Sequence, residues 1–113
     1  MKYESLPELS YEETLVIFNG DDHQQIVLAI YGLAFYNRYP EYAEQWGLFY
    51  LSHENESIRG AAATSLGYVA RLNGTISKAS HDALKLLSSQ YPEDGVIEDA
   101  LEDVEHWLNI HRD

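Results

Sequence analysis

The chain has 113 residues, enough for one hydrophobic core, and its 19 Asp and Glu against 7 Lys and Arg leave a formal charge of −12. Seven scattered basic residues (Lys2, Arg38, Arg59, Arg71, Lys78, Lys85, Arg112) cannot build the clustered cationic surface that phosphate neutralisation needs, so direct nucleic-acid binding is excluded and a basic protein partner is favoured. No apolar run approaches the roughly 18 to 20 residues of a membrane span, the N-terminus lacks a secretory-type apolar segment, and the absence of cysteine excludes disulfide and thiolate chemistry; the expectation is one cytoplasmic domain over residues 1–113.

Helix signals run through the sequence without sustained period-two alternation. Ser10 with Glu13 forms a capping-box pattern that opens a first helix, ending at Asn19-Gly20 with Leu15, Val16 and Phe18 as its apolar face. Asp21-Asp22 suits the positive end of a second helix running to about Arg38. Residues 26–36 (IVLAIYGLAFY) are apolar around nearly the whole helix, so something must cover its outer side. Met1 to Leu9 or a neighbouring helix is favoured over a partner for that cover. Pro40 starts a third helix through Trp46 and Phe49 to about Ser52, because a proline at the first turn gives up no hydrogen bond.

Asn55 caps a fourth helix with Ile58, Ala61, Ala62, Ser65, Leu66, Val69 and Leu72 at helical spacing, ending at Asn73-Gly74. A fifth, from about Ser77 to Gln90, turns Ala83, Leu84, Leu86 and Leu87 inward before Tyr91-Pro92 breaks it. A sixth, from about Glu93 to His111, carries an apolar stripe of Ile97, Ala100, Leu101, Val104, Trp107 and Leu108.

The six helices pair into hairpins at 10–38, 40–73 and 77–111, in which Ile26, Ile58 and Ile97 occupy equivalent positions, with Ala29, Ala61 and Ala100 following in register. Each hairpin alone exposes an apolar face, and stacking three of them buries it. The middle unit, LSHENESIRGAAATSLGYVARLNG (residues 51–74), has a polar turn at Glu54-Asn55, an aliphatic-Arg pair at Ile58-Arg59 and the small residues Ala61-Ala62-Ala63 before Leu66-Gly67. It resembles one HEAT-type repeat. The resemblance implies an all-α fold, a short α-solenoid of three stacked HEAT-like hairpins, with Arg59 paired to an acid of a neighbouring repeat. Val27 and Glu98 stand where the first and third units would carry the arginine.

Asp94, Glu98, Asp99, Glu102, Asp103 and Glu105 lie on the sixth helix among no basic residue. Acids four apart on a helix repel by a few tenths of a kcal/mol, roughly, which docking of a basic surface would relieve. Nine tyrosines supply rigid contact area with a polar tip, and Tyr31 and Tyr36 join the acids as candidate partner-binding residues.

An HExxH motif, a phosphate-cradling Gly-rich loop, a Gly-x-Ser-x-Gly elbow and a nucleophilic Cys are all absent, so no catalytic residue, metal or cofactor is assigned. Glu102 and His106, four apart, are two ligands where a metal site wants at least three. His53 is expected to meet carbonyls at a helix C-terminus.

The expected function is a non-enzymatic protein-binding module, acting as a monomer or in a 1:1 heterocomplex. HEAT-like folds occur among immunity proteins of bacterial toxin systems. That resemblance implies a cognate basic toxin domain as partner, a nuclease being favoured because its substrate surface must be cationic. A HEAT-like assembly adaptor, an accessory module resembling those of bilin lyases, and an acidic nucleic-acid mimic are the alternatives.

Overall fold

The computed structural model describes residues 6–108, which form six α-helices and, among the described residues, no strand. They are α1 (Tyr11–Phe18), α2 (His23–Tyr36), α3 (Pro40–Tyr50), α4 (Glu56–Asn73), α5 (Lys78–Gln90) and α6 (Gly95–Trp107).

Local chemistry sets the boundaries. Glu13 N–H donates to Ser10 Oγ at 3.1 Å and Ser10 N–H donates back to Glu13 Oε1 at 2.8 Å. Asp22, Asn55, Ser77 and Asp94 each accept first-turn amides of α2, α4, α5 and α6, satisfying donors that a helix start leaves open. Asn37 takes a left-handed φ of 55° and stops α2 before Arg38, while Gly74 at φ 68° ends α4. Asp94 serves as the cap of α6, so the helix begins at Gly95 and not at Glu93. The sequence-based end of this helix at His111 lies outside the described residues.

Paired contacts define the helix directions. His23 Nδ1 lies 3.0 Å from Asn55 Nδ2 where α2 and α4 begin, and Asn37 and Asn73 exchange amide hydrogen bonds of 3.1 and 3.0 Å where they end. These two helices therefore run parallel. On the other flank of α4, Gly60 faces Val96 and Gly67 faces Asp103, so α4 and α6 are parallel too. His81 meets Glu105 and Ser88 meets Glu98, which makes α5 and α6 antiparallel.

Helix α4 packs on α2, α3 and α6, which explains why its alanines and even Ser65 are buried. At Gly47 of α3 a Cβ would lie 2.8 Å from Ser65 Oγ and 3.1 Å from Leu66 Cδ2, so bare backbone is required for the α3–α4 approach. Ile26, Ile58 and Ile97 are all buried, as are Ala29, Ala61 and Ala100.

Four apolar positions expected inside are exposed: Val16 (72%), Leu72, Leu86 (61%) and Trp107. Each sits at the edge of its helix's apolar stripe, where packing on one flank only leaves the other to solvent. Thr14 takes the inward place on α1, with its hydroxyl donating to Ser10 O at 3.0 Å, and Ser80 and His81 take it on α5.

Arg59 is also placed differently from the expectation. Instead of meeting an acid, it donates from Nη1 to His53 O at 3.3 Å and Glu54 O at 3.4 Å and stacks over the Tyr91 ring at 4.2 Å. The carbonyls of the α3–α4 turn are the nearer acceptors. His53 does not meet carbonyls through its ring: Nδ1 accepts from Asn55 N–H at 2.9 Å.

The outer side of α2 is partly covered by the chain's own start. Leu6 is buried, Tyr36 Oη donates to Leu6 O at 2.6 Å, and Pro7 O sits against Gly32, where a Cβ would be 3.2 Å away.

Candidate protein-binding surface

Parallel packing brings the N-terminal halves of α2, α4 and α6 side by side, and the seams between them are open. Val27, Leu28, Gln24 and Ser57 line a groove between α2 and α4. Val27 continues into a second groove with Tyr31, Gly60, Ala61, Glu56, Asp94 and Val96. Glu56 and Asp94 continue into a third, with Arg59, Tyr91 and Glu93 at the start of α6. Because neighbouring grooves share residues, they form one continuous surface across three helices.

Residue types explain the shape. Gly60 and Ala61 carry too little side chain to fill the middle of the surface, whereas Val27, Tyr31 and Val96 stand around it as apolar walls. The carboxylates of Glu56, Glu93 and Asp94 supply negative charge along the rim. Arg59, the cation of the third groove, is only 8% exposed and sits over the Tyr91 ring, with its buried Nε lacking a hydrogen-bond partner among the described residues. The surface thus sets partly exposed aromatic and aliphatic groups inside an acidic rim.

The structure distributes the sequence candidates around α6 and α2. Asp94 and Tyr31 meet in the second groove, and Asp94 Oδ1 also accepts from Val96 N–H at 3.0 Å and Ile97 N–H at 3.3 Å. Asp103 lies on the α4 side of α6, against Gly67, and accepts from Trp107 Nε1–H at 3.1 Å. Asp99 and Glu102 are both exposed. Glu98 is turned to α5, where it accepts from Ser88 Oγ–H at 3.1 Å.

Two candidates are engaged within the fold. Glu105 is 5% exposed, with Oε2 lying 2.9 Å from His81 Nε2 in the α5–α6 seam, because position 105 falls beside Leu101 and Val104 on the inward side. Tyr36 is engaged by Leu6 and so belongs to intramolecular packing. The acids of α6 thus do not form one face: they divide between the α4 flank, the α5 flank and solvent.

Sequence reasoning missed Val27, Glu56 and Val96 as surface-forming residues. The available signal was Val96, an apolar residue off the inward stripe, and Gly60, a small residue on the outer edge of α4. Glu44 was also missed: from α3 it accepts from Ser77 N–H at 3.0 Å and from the hydroxyls of Ser77 and Ser80, the latter at 2.6 Å, placing a carboxylate at the positive end of α5.

Among the described residues no group of three or more His, Asp or Glu is placed to hold a metal ion, and no helix is long and apolar enough to cross a membrane. Comparison with protein-family models, curated proteins and solved structures found no match to this chain.

Proposed function

We propose that this chain is a HEAT-like repeat module, a short α-solenoid of three hairpins, that binds a basic protein partner through the α2–α4–α6 grooves. Its specific form in this reading is a cytoplasmic, non-enzymatic immunity protein that blocks a toxin domain, with a nuclease as the favoured target. The observation that carries the reading is the continuous surface joining Tyr31 to Asp94 on a body of charge −12. The parallel run of α2, α4 and α6, with equivalent Ile and Ala positions buried in each, supports the repeat architecture.

Charge acts first in this mechanism. The field of an acidic body steers a basic partner toward it and raises the encounter rate, an effect that salt weakens. Glu56, Glu93 and Asp94 then meet Lys and Arg that a nuclease uses to hold phosphate. Burial of Tyr31, Val27 and Val96 sets the dissociation rate, since desolvated aromatic and aliphatic centres carry most interface energy. Covering the cationic substrate surface is sufficient for inhibition.

The test begins with capture from the source cells, followed by kinetics with the purified partner. Neutralising outward-facing acids (Glu56→Gln, Glu93→Gln, Glu102→Gln) is expected to slow association about tenfold at low salt and flatten its salt dependence. Val96→Lys, at a half-exposed groove position, is expected to accelerate dissociation. A captured protein that is basic, and whose catalytic activity is lost in the complex, supports the reading. An acidic or neutral partner, or kinetics unchanged in both variants, contradicts it and favours an assembly adaptor.

A further inference from the structure

A second surface lies away from the grooves, where α1 meets α3. Tyr42, Trp46 and Phe49 stand at i, i+4 and i+7 on α3 and so share one face. Tyr42 stacks on Tyr11 of α1 with ring centroids 4.2 Å apart, and Trp46 packs against Phe18 at 4.6 Å. Trp46 Nε1–H donates to Tyr11 Oη at 2.9 Å, and Phe49 meets Trp46 edge-on at 5.5 Å. These contacts fix the rings in place, yet Phe49 remains 64% exposed and Tyr42 40% exposed. Aromatic groups already held in position lose little conformational freedom on binding, which is the economy that interface anchors exploit.

Charge selects the occupant. Glu12 and Glu13 on α1 and Glu41 on α3 are exposed, and neither helix contains a Lys or Arg. Arg38, in the turn before α3, is already held by Glu8 at 3.1 Å, and the exposed Gln45 beside Trp46 adds no charge. A second copy of the chain would bring these carboxylates against their own equivalents, and an anionic bilayer would be repelled in the same way. A cationic segment with apolar residues along one side matches both the rings and the acids.

We propose that the α1–α3 aromatic face is a docking surface for a basic amphipathic helix. Its apolar residues lie along Tyr42, Trp46 and Phe49, and its Lys and Arg side chains meet the glutamates of the two helices. This surface is separate from the α2–α4–α6 grooves and stands or falls independently of them.

The experiment titrates the 15N-labelled full chain with a synthetic Leu/Lys peptide of about 18 residues, patterned as an amphipathic helix. The expected result is saturable 1:1 binding with amide shifts concentrated on α1 and α3. Phe49→Ser, at an exposed position and with the fold checked by circular dichroism, should weaken binding about tenfold. Glu12→Gln with Glu41→Gln, which leaves every ring in place, should weaken it as well and flatten its salt dependence. Absence of binding, shifts centred on α2, α4 and α6, or unchanged affinity in both variants would overturn the proposal. So would equal affinity for a Leu/Glu peptide of the same pattern, or self-association through this face in sedimentation.

Discussion

Glu105 and Glu102 belong to one helix and carry the same charge, but they do different physical work. Glu105 is enclosed with His81 in the α5–α6 seam, whereas Glu102 is exposed. Glu105→Ala leaves the His81 ring buried without this partner and should destabilise the fold by about 2–3 kcal/mol in urea denaturation. Glu102→Gln should change it by less than about 0.5 kcal/mol; equal effects would contradict the burial difference. Burial also pushes the Tyr50 phenol above its ordinary value of 10.0. Above that pH the unfolded chain releases the Tyr50 proton while the folded chain retains it, so the unfolded state binds fewer protons and stability falls as pH rises. The contribution is complete below about pH 10, and Tyr50→Phe should move the alkaline unfolding midpoint upward; an unmoved midpoint would remove Tyr50 from that transition. At this scale the sequence was least legible. Nothing in the order of residues says that Arg59 prefers turn carbonyls and the Tyr91 ring to a carboxylate, since all these partners arrive by folding.

Helices were more legible than side chains, because caps and breakers act locally. Ser10 with Glu13, Asn55, Pro40 and Gly74 mark their boundaries through the hydrogen bonds they make or decline. Apolar stripes were read less completely: Val16, Leu86 and Trp107 fit helical spacing but face solvent. Periodicity fixes the centre of a buried face and leaves its width to the neighbouring helix. The α3–α4 contact gives a sharp test of packing. Gly47→Ala would place its Cβ 2.8 Å from Ser65 Oγ and should cost about 1–3 kcal/mol. Gly60→Ala, whose Cβ would sit at an ordinary 3.5 Å from Val96, should be neutral or stabilising by up to about 1 kcal/mol through helix propensity. Thermal melts of the two variants should therefore move apart, and equal losses would contradict the packing described for α4. Ala62→Leu, at a fully buried position of that helix, belongs with Gly47→Ala on the destabilised side.

The whole molecule combines a negative body with grooves made by three helices that are distant in sequence. Charge and the tyrosine at position 31 were visible from residue order, but the groove was not, because Val27, Gly60 and Val96 become neighbours only when α2, α4 and α6 run parallel. The same assembly divides the acidic helix α6 into separate flanks, so in the proposed binding mode net charge guides approach while the groove supplies the contact. The most direct test is the association rate of the captured basic partner at about 50 mM and about 200 mM salt, on either side of the roughly 100 mM at which the Debye length is about 10 Å, for the wild type and the Glu56→Gln, Glu93→Gln, Glu102→Gln variant. A rate that falls steeply with salt in the wild type and is slower and flatter in the variant is the predicted result. Identical rates and identical salt dependence in the two proteins would contradict charge-guided binding at this surface.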